Sequence, residues 1–245
     1  MKKIILLVGL IFISISCSKP GECIEATGSI ITKDFTVADF DKIIVHQGIS
    51  LVVTEGLVYK VEVQTGENLM PNIEATVTDG LLTLKNNTTC NWVRDYGNTL
   101  VYVTAPNITE LHSKTERTIT SNGVLTYPIL RLISMDLSDG AGTGDFNIQV
   151  NNSQTVIENN NVSRYYILGQ TNELLVNFYD GNGRFTGDNL TAKKIVVFHR
   201  GSNDMIVRPT EVITGKMVST GNVILKNNPP IVDVHQLYHG RVIYN

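Results

Sequence analysis

Between Arg131 and Leu225 the chain repeats itself about every twenty residues, and no stretch of helical periodicity interrupts the repeat. Each polar turn ends on an apolar anchor: DGAGTGDF at Phe146, NNNVSRY at Tyr165, DGNGRF at Phe185, GSNDM at Met205 and STGNV at Val223. The anchors are 19, 20, 20 and 18 residues apart. Two residues further on, a second column runs through Ile148, Ile167, Val207 and Leu225, broken only by Gly187. A spacing of two places both columns on one face of a strand. Such a chain is expected to coil as a β-solenoid, each turn about 4.8 Å from the next. A single rung buries too little apolar surface to offset the entropy of ordering it, so neighbouring rungs must share a core and ladder hydrogen bonds.

Upstream, Ile43 and Val45, then Ile49, Leu51 and Val53, then Tyr59, Val61 and Val63 alternate with polar residues, and Gly48, Gly56 and Gly66 punctuate them. Further strands are expected at Ile73 to Val77, Leu81 to Leu84 and Leu100 to Val103, with Thr78 to Gly80 as a hairpin turn. The fold class read from these patterns is all-β.

The N-terminus has another character. Lys2 and Lys3 precede an apolar run from Ile4 to Ile13, then small residues lead to Cys17. The run is too short to span a bilayer and has the charged, apolar and small-residue order of a secretory signal. ISIS before Cys17 resembles the lipobox of bacterial lipoproteins, in which the cysteine is lipidated and becomes the mature N-terminus; Ser14 departs from the usual aliphatic residue. The expected organisation is a signal peptide over 1–16, a lipidated N-terminus and tether over 17–34, and one solenoid domain over 35–245. Cys23 and Cys90 then remain, and two readings stand for them: a disulfide, permitted outside the inner membrane, or two unpaired thiols.

Net charge is −3 with scattered basic residues, which leaves no electrostatic footprint for nucleic acid. The densest basic patch, KKIVVFHR from Lys193 to Arg200, alternates with apolar residues and reads as a strand with a solvated face. No glycine-rich turn opens a helix, so no nucleotide phosphate has a helix dipole to sit against. His235 and His239 are four apart, but HQLYHGRVIY reads as strand and turn and lacks the glutamate of a zinc hydrolase motif; no metal or other cofactor is expected. Asp136, Asp139, Asp145, Asp180, Asp188 and Asp204 gather near the repeat turns. β-Helix enzymes that cleave polysaccharides use carboxylates on such walls, whereas aspartate also simply forms turns, and no pair recurs here with a fixed partner. Trp92, Arg94 and Tyr96 share a polar loop, suited to a glycan or protein contact or, alternatively, to a Trp92 folded over the end of the core.

FDKIIVHQGISLVVTEG, GENLMPNIEATVTDGLLTLKNN, CNWVRDY and LVYVTAPNITEL follow one another in an order that resembles the putative auto-transporter adhesin, head GIN domain family of Gram-negative bacterial lipoproteins. The ending GNVILKNNPPIVDVHQLYHGRVIYN is similar as well, and the likeness runs from about Phe35 to Asn245. It implies a right-handed parallel β-helix-like fold and a lipoprotein of the outer membrane, cell surface or periplasm, and it brings no catalytic residues with it. Where many members carry glycine-serine-glycine turns, this chain has GAGTG, NNNVS, GNGRF and GSNDM; asparagine tolerates the same left-handed corner. The functional expectation is a non-catalytic binding or adhesion module, attached to the membrane by its lipid and meeting a glycan or protein ligand. A carboxylate-dependent polysaccharide-cleaving enzyme and a structural envelope assembly protein stand as alternatives.

Overall fold

The structure is a computed structural model that describes residues 26–88, 99–135 and 142–245. The strands are β1 (Ile30–Phe35), β2 (Lys42–His46), β3 (Ile49–Glu55), β4 (Lys60–Gly66), β5 (Ile73–Thr78), β6 (Leu81–Asn86), β7 (Thr99–Ala105), β8 (Glu110–Lys114) and β9 (Ile119–Leu125). They continue as β10 (Ile129–Ser134), β11 (Phe146–Asn159), β12 (Arg164–Phe178), β13 (Arg184–His199), β14 (Met205–Met217), β15 (Val223–Leu225), β16 (Ile231–Gln236) and β17 (Val242–Tyr244). Among the described residues the only helical element is a 3₁₀ turn at Met70–Asn72. The all-β β-solenoid expected from the repeat is what the chain forms.

The coil has two walls. In the first, β6, β2, β8 and β10 lie side by side in parallel and are followed by the second halves of β11, β12, β13 and β14, then by β16. In the second, β7, β3 and β9 are followed by the first halves of β11 to β14, then β15 and β17. The long strands β11 to β14 pass from one wall to the other, so each contributes to both walls of the coil.

The anchor column of the repeat is a physical stack. Phe146 pairs with Tyr165, Tyr165 with Phe185, Phe185 with Met205 and Met205 with Val223, and all five are buried. The rings of Phe146 and Tyr165 lie parallel, 4.8 Å between centroids, which is the rung spacing itself. In the second column Ile148 pairs with Ile167 and Val207 with Leu225, again all buried. The break at Gly187 has a steric reason: a Cβ there would lie 2.6 Å from the Phe185 ring, which fills the place of the missing side chain. The first wall supplies the facing half of the core with Leu111, Leu132, Ile157, Val176 and Val197 in one column.

The solenoid reaches further toward the N-terminus than its regular repeat. The rung made of β2 and β3 lies between the rung of β6 and β7 and that of β8 and β9: Lys42 pairs with Leu81 on one side and with Glu110 on the other. Before the chain returns to extend the coil, it caps the end. β5 runs antiparallel to β6, β4 antiparallel to β7, and β1 antiparallel to β4. The β5–β6 turn is the expected one, with Asp79 at φ 50° and Gly80 at φ 76°, both left-handed as a type I′ hairpin requires.

Candidate binding face

Alternation along the first wall sends every second side chain outward, and parallel pairing stacks these into rows that cross the rungs. One row runs Arg131, Val156, Leu175, Val196 and Thr214; its neighbour runs Ile133, Glu158, Asn177, Phe198 and Lys216. The first row therefore has an apolar centre, with Val196 36% exposed, and the second is mostly polar around one aromatic ring.

Tyr179, one residue beyond β12, adds a second ring. Its centroid is 5.8 Å from that of Phe198, and Lys216 Nζ lies 5.3 Å from the Phe198 centroid. The Tyr179 hydroxyl donates to Glu158 (3.2 Å), and Glu158 also accepts from Arg131, whose other arm reaches Glu110 at 2.8 Å. This ladder ties four rungs together. Burial and the neighbouring Glu158 charge hold the Tyr179 phenol above its ordinary pKa. Burial acts against the Arg131 guanidinium, but Glu158 and Glu110 outweigh it, and its pKa is raised. At neutral pH the face thus presents fixed donors and paired charges beside two tilted rings. Gln154 Nε2 similarly donates to Glu173 at 2.5 Å. Flat rings and fixed hydrogen-bonding groups on a repeat of about 4.8 Å suit the stacking of sugar rings or the edge of an extended chain.

The aspartates of the turns serve the coil. Asp145 accepts from the Nε and Nη2 of Arg164 at 2.9 and 2.8 Å, Asp180 accepts the Gly181 N–H at 2.8 Å, and Asp204 accepts the Asn222 backbone and side-chain N–H groups at 3.2 and 3.0 Å. At Asp188 it is the backbone carbonyl that accepts, from Arg208 at 2.6 Å. His235 lies on β16, 3.7 Å from Asp233, whereas His239 packs edge-on against Tyr238 in the following turn, so the two imidazoles do not share a helix face. In the NNNVS corner Asn159 is buried, donates to the Asn161 carbonyl at 3.0 Å and accepts from the Tyr165 hydroxyl at 3.3 Å, which replaces the glycine turn with a polar plug. Cys17, Cys23, Cys90, Trp92, Arg94, Tyr96, Asp136 and Asp139 lie outside the described residues.

KKIVVFHR is the strand expected, and its outward residues Lys194, Val196 and Phe198 belong to this face. Tyr179, Arg131 and Glu158 are new to the site. The signal for them was register: Phe198 pairs with Asn177 of the neighbouring rung, and Tyr179 is two residues beyond Asn177 on the same outward side.

The model of the family described as "Putative auto-transporter adhesin, head GIN domain" matches residues 39–229. The chain belongs to this family. No curated protein matches it significantly. Among solved structures, a protein described as a putative adhesin from Bacteroides fragilis NCTC 9343 shares the fold with a TM-score of 0.80 at 18% identity, over 90% of this chain and 100% of that one. A putative adhesin from Parabacteroides distasonis ATCC 8503 aligns with a TM-score of 0.63 at 15% identity, over 90% and 100% of the two chains. A putative lipid binding protein from the same strain gives 0.61 at 14%, over 89% and 99%. At these identities the likeness is one of fold, and it spans nearly the whole of the coil.

Proposed function

We propose that this head GIN protein is a lipid-anchored module of the cell envelope that holds an extended ligand, a polysaccharide or a protein surface, on the outward face of its first wall without transforming it. The Tyr179–Phe198 pair, set between the Glu110–Arg131–Glu158 ladder and Lys216, carries this reading. Rings supply stacking area, and charges already paired within the wall keep their positions when a ligand arrives. The family's description as adhesins agrees with binding and with a place at the cell surface or envelope. The engagement of Asp145, Asp180 and Asp204 in rung-to-rung and turn contacts weighs against the polysaccharide-cleaving alternative, which needs a carboxylate directed at a substrate.

The test is to incubate the purified protein with envelope and host polysaccharides and proteins, following binding and product release together. Saturable binding with no product is expected. Turnover abolished by Asp145→Asn or Asp204→Asn would replace the binding reading with the enzymatic one. Attachment is tested separately: a fatty-acid analogue should label the wild-type protein in cells and fail to label Cys17→Ala, and equal labelling of both would remove the anchor.

A further inference from the structure

The two ends of the coil are finished differently. At the N-terminal end the antiparallel strands β5, β4 and β1 cover the last parallel rung. At the other end β16 pairs only with β14, and β17 only with β15, among the described residues. The core is half-open there: Val232, Val234 and Val242 are partly exposed, and Ile231 and Leu237 are 56% and 64% exposed. An open edge with apolar side chains is a template for strand addition.

We propose that this edge pairs with the same edge of a second copy, β16 against β16 in antiparallel register about a twofold axis through Val234. Backbone geometry sets the available groups. The Leu237 N–H bonds back to Met217, so alternation turns the N–H and C=O groups of Val232, Val234 and Gln236 to the open side. With the axis at Val234, these groups meet one another, Val234 opposite Val234 and Val232 opposite Gln236, as hydrogen-bonded pairs. The residues between them become the closer, non-hydrogen-bonded pairs. There Asp233 falls opposite His235 of the second copy, and Ile231 falls opposite Leu237.

The strand is thus complementary to its own reverse. The acid meets the base twice and the exposed aliphatic side chains meet each other twice, as an isologous interface demands. An unrelated partner would not need both relations to hold about one residue. Within one chain the Asp233 carboxylate and the His235 imidazole lie 3.7 Å apart with 69% and 70% of their side chains exposed, so both can turn toward a neighbour. A twofold axis perpendicular to the wall also brings the two outward faces onto the same side, doubling the length of the proposed ligand surface.

The test needs no ligand: the mass of the purified full chain in solution is measured by light scattering against concentration, in mildly acidic buffer. The wild type is expected to dimerise. Asp233→Lys alone and His235→Glu alone each set like charges opposite one another and should raise the dissociation constant about tenfold or more. Mixing the two variants restores both pairs in the mixed dimer. There the introduced lysine of one copy faces the introduced glutamate of the other, and the unchanged His235 of the first faces the unchanged Asp233 of the second, so association should return to the wild-type level. Melting temperatures near the wild type confirm that the variants fold, and Leu237→Ser, which removes an already exposed side chain, gives a second route to the monomer. A monomeric wild type, single variants that still dimerise, or a mixture that stays monomeric would each overturn the pairing.

Discussion

Ile167 sits inside the coil beside Ile148 of the neighbouring rung, 1% exposed, with stacked rungs on both sides. Ile167→Asp would leave an unpaired charge there and is expected to cost about 3 to 5 kcal/mol. Thermal or denaturant unfolding measures this, and an unchanged midpoint would contradict the stacking. His199 behaves differently. It occupies the same inward column as Phe178 and Met217, is 1% exposed, and its Nδ1 accepts the Gly201 N–H at 3.3 Å while Nε2 lacks a well-formed hydrogen bond. Burial lowers its pKa, opposed in smaller measure by the Asn203 backbone and Asp204. Burial likewise lowers that of His112. An unfolded histidine protonates near about pH 6.5, so the unfolded chain gains protons first as pH falls. The stability that the neutral imidazoles contribute is present above about pH 6.5 and is lost as pH drops toward their folded values. Denaturant midpoints should therefore fall between neutral and mildly acidic pH, and His199→Leu should reduce that slope; an equal slope in the variant would remove His199 from the effect.

At the scale of strands, the passage between walls within one long strand depends on close backbone approach. Gly169 of β12 has φ 110°, and a Cβ on it would lie 2.0 Å from the Val150 carbonyl in the adjacent rung. Gly169→Ala is expected to destabilise by about 3 kcal/mol or more, read as a lowered denaturation midpoint. The second wall was legible in the sequence because its inward residues, Phe146, Tyr165, Phe185, Met205 and Val223, are all apolar and follow turns of nearly constant length. The N-terminal strands were legible, and so was their place within one solenoid domain, but not their order along the coil. There the chain inserts the capping strands β4 and β5, so Lys42, Leu81 and Glu110 are neighbours in space without a common spacing in sequence. The candidate binding face was hidden for another reason. An outward row such as Glu158, Asn177, Phe198 and Lys216 shares no residue type, since solvent imposes none, and only the register of the inward columns brings it together.

For the molecule as a whole, the two walls of one coil offer an internal comparison. The outward face of the first carries Tyr179, Phe198 and their charged neighbours; the outward face of the second carries Tyr166, 36% exposed, paired with Asn147 and Thr186. A ligand recognised by stacking on the first wall should be sensitive to one face and indifferent to the other. The most direct measurement is the affinity of the purified protein for whichever polysaccharide or protein it captures, compared among wild type, Tyr179→Ala, Phe198→Ala and Tyr166→Ser, with melting curves recorded for each. Loss of either first-wall ring should weaken binding about tenfold or more with little change in melting, while Tyr166→Ser binds as the wild type does. Wild-type affinity in both Tyr179→Ala and Phe198→Ala, or a loss confined to Tyr166→Ser, would contradict the assignment of the first wall as the binding face.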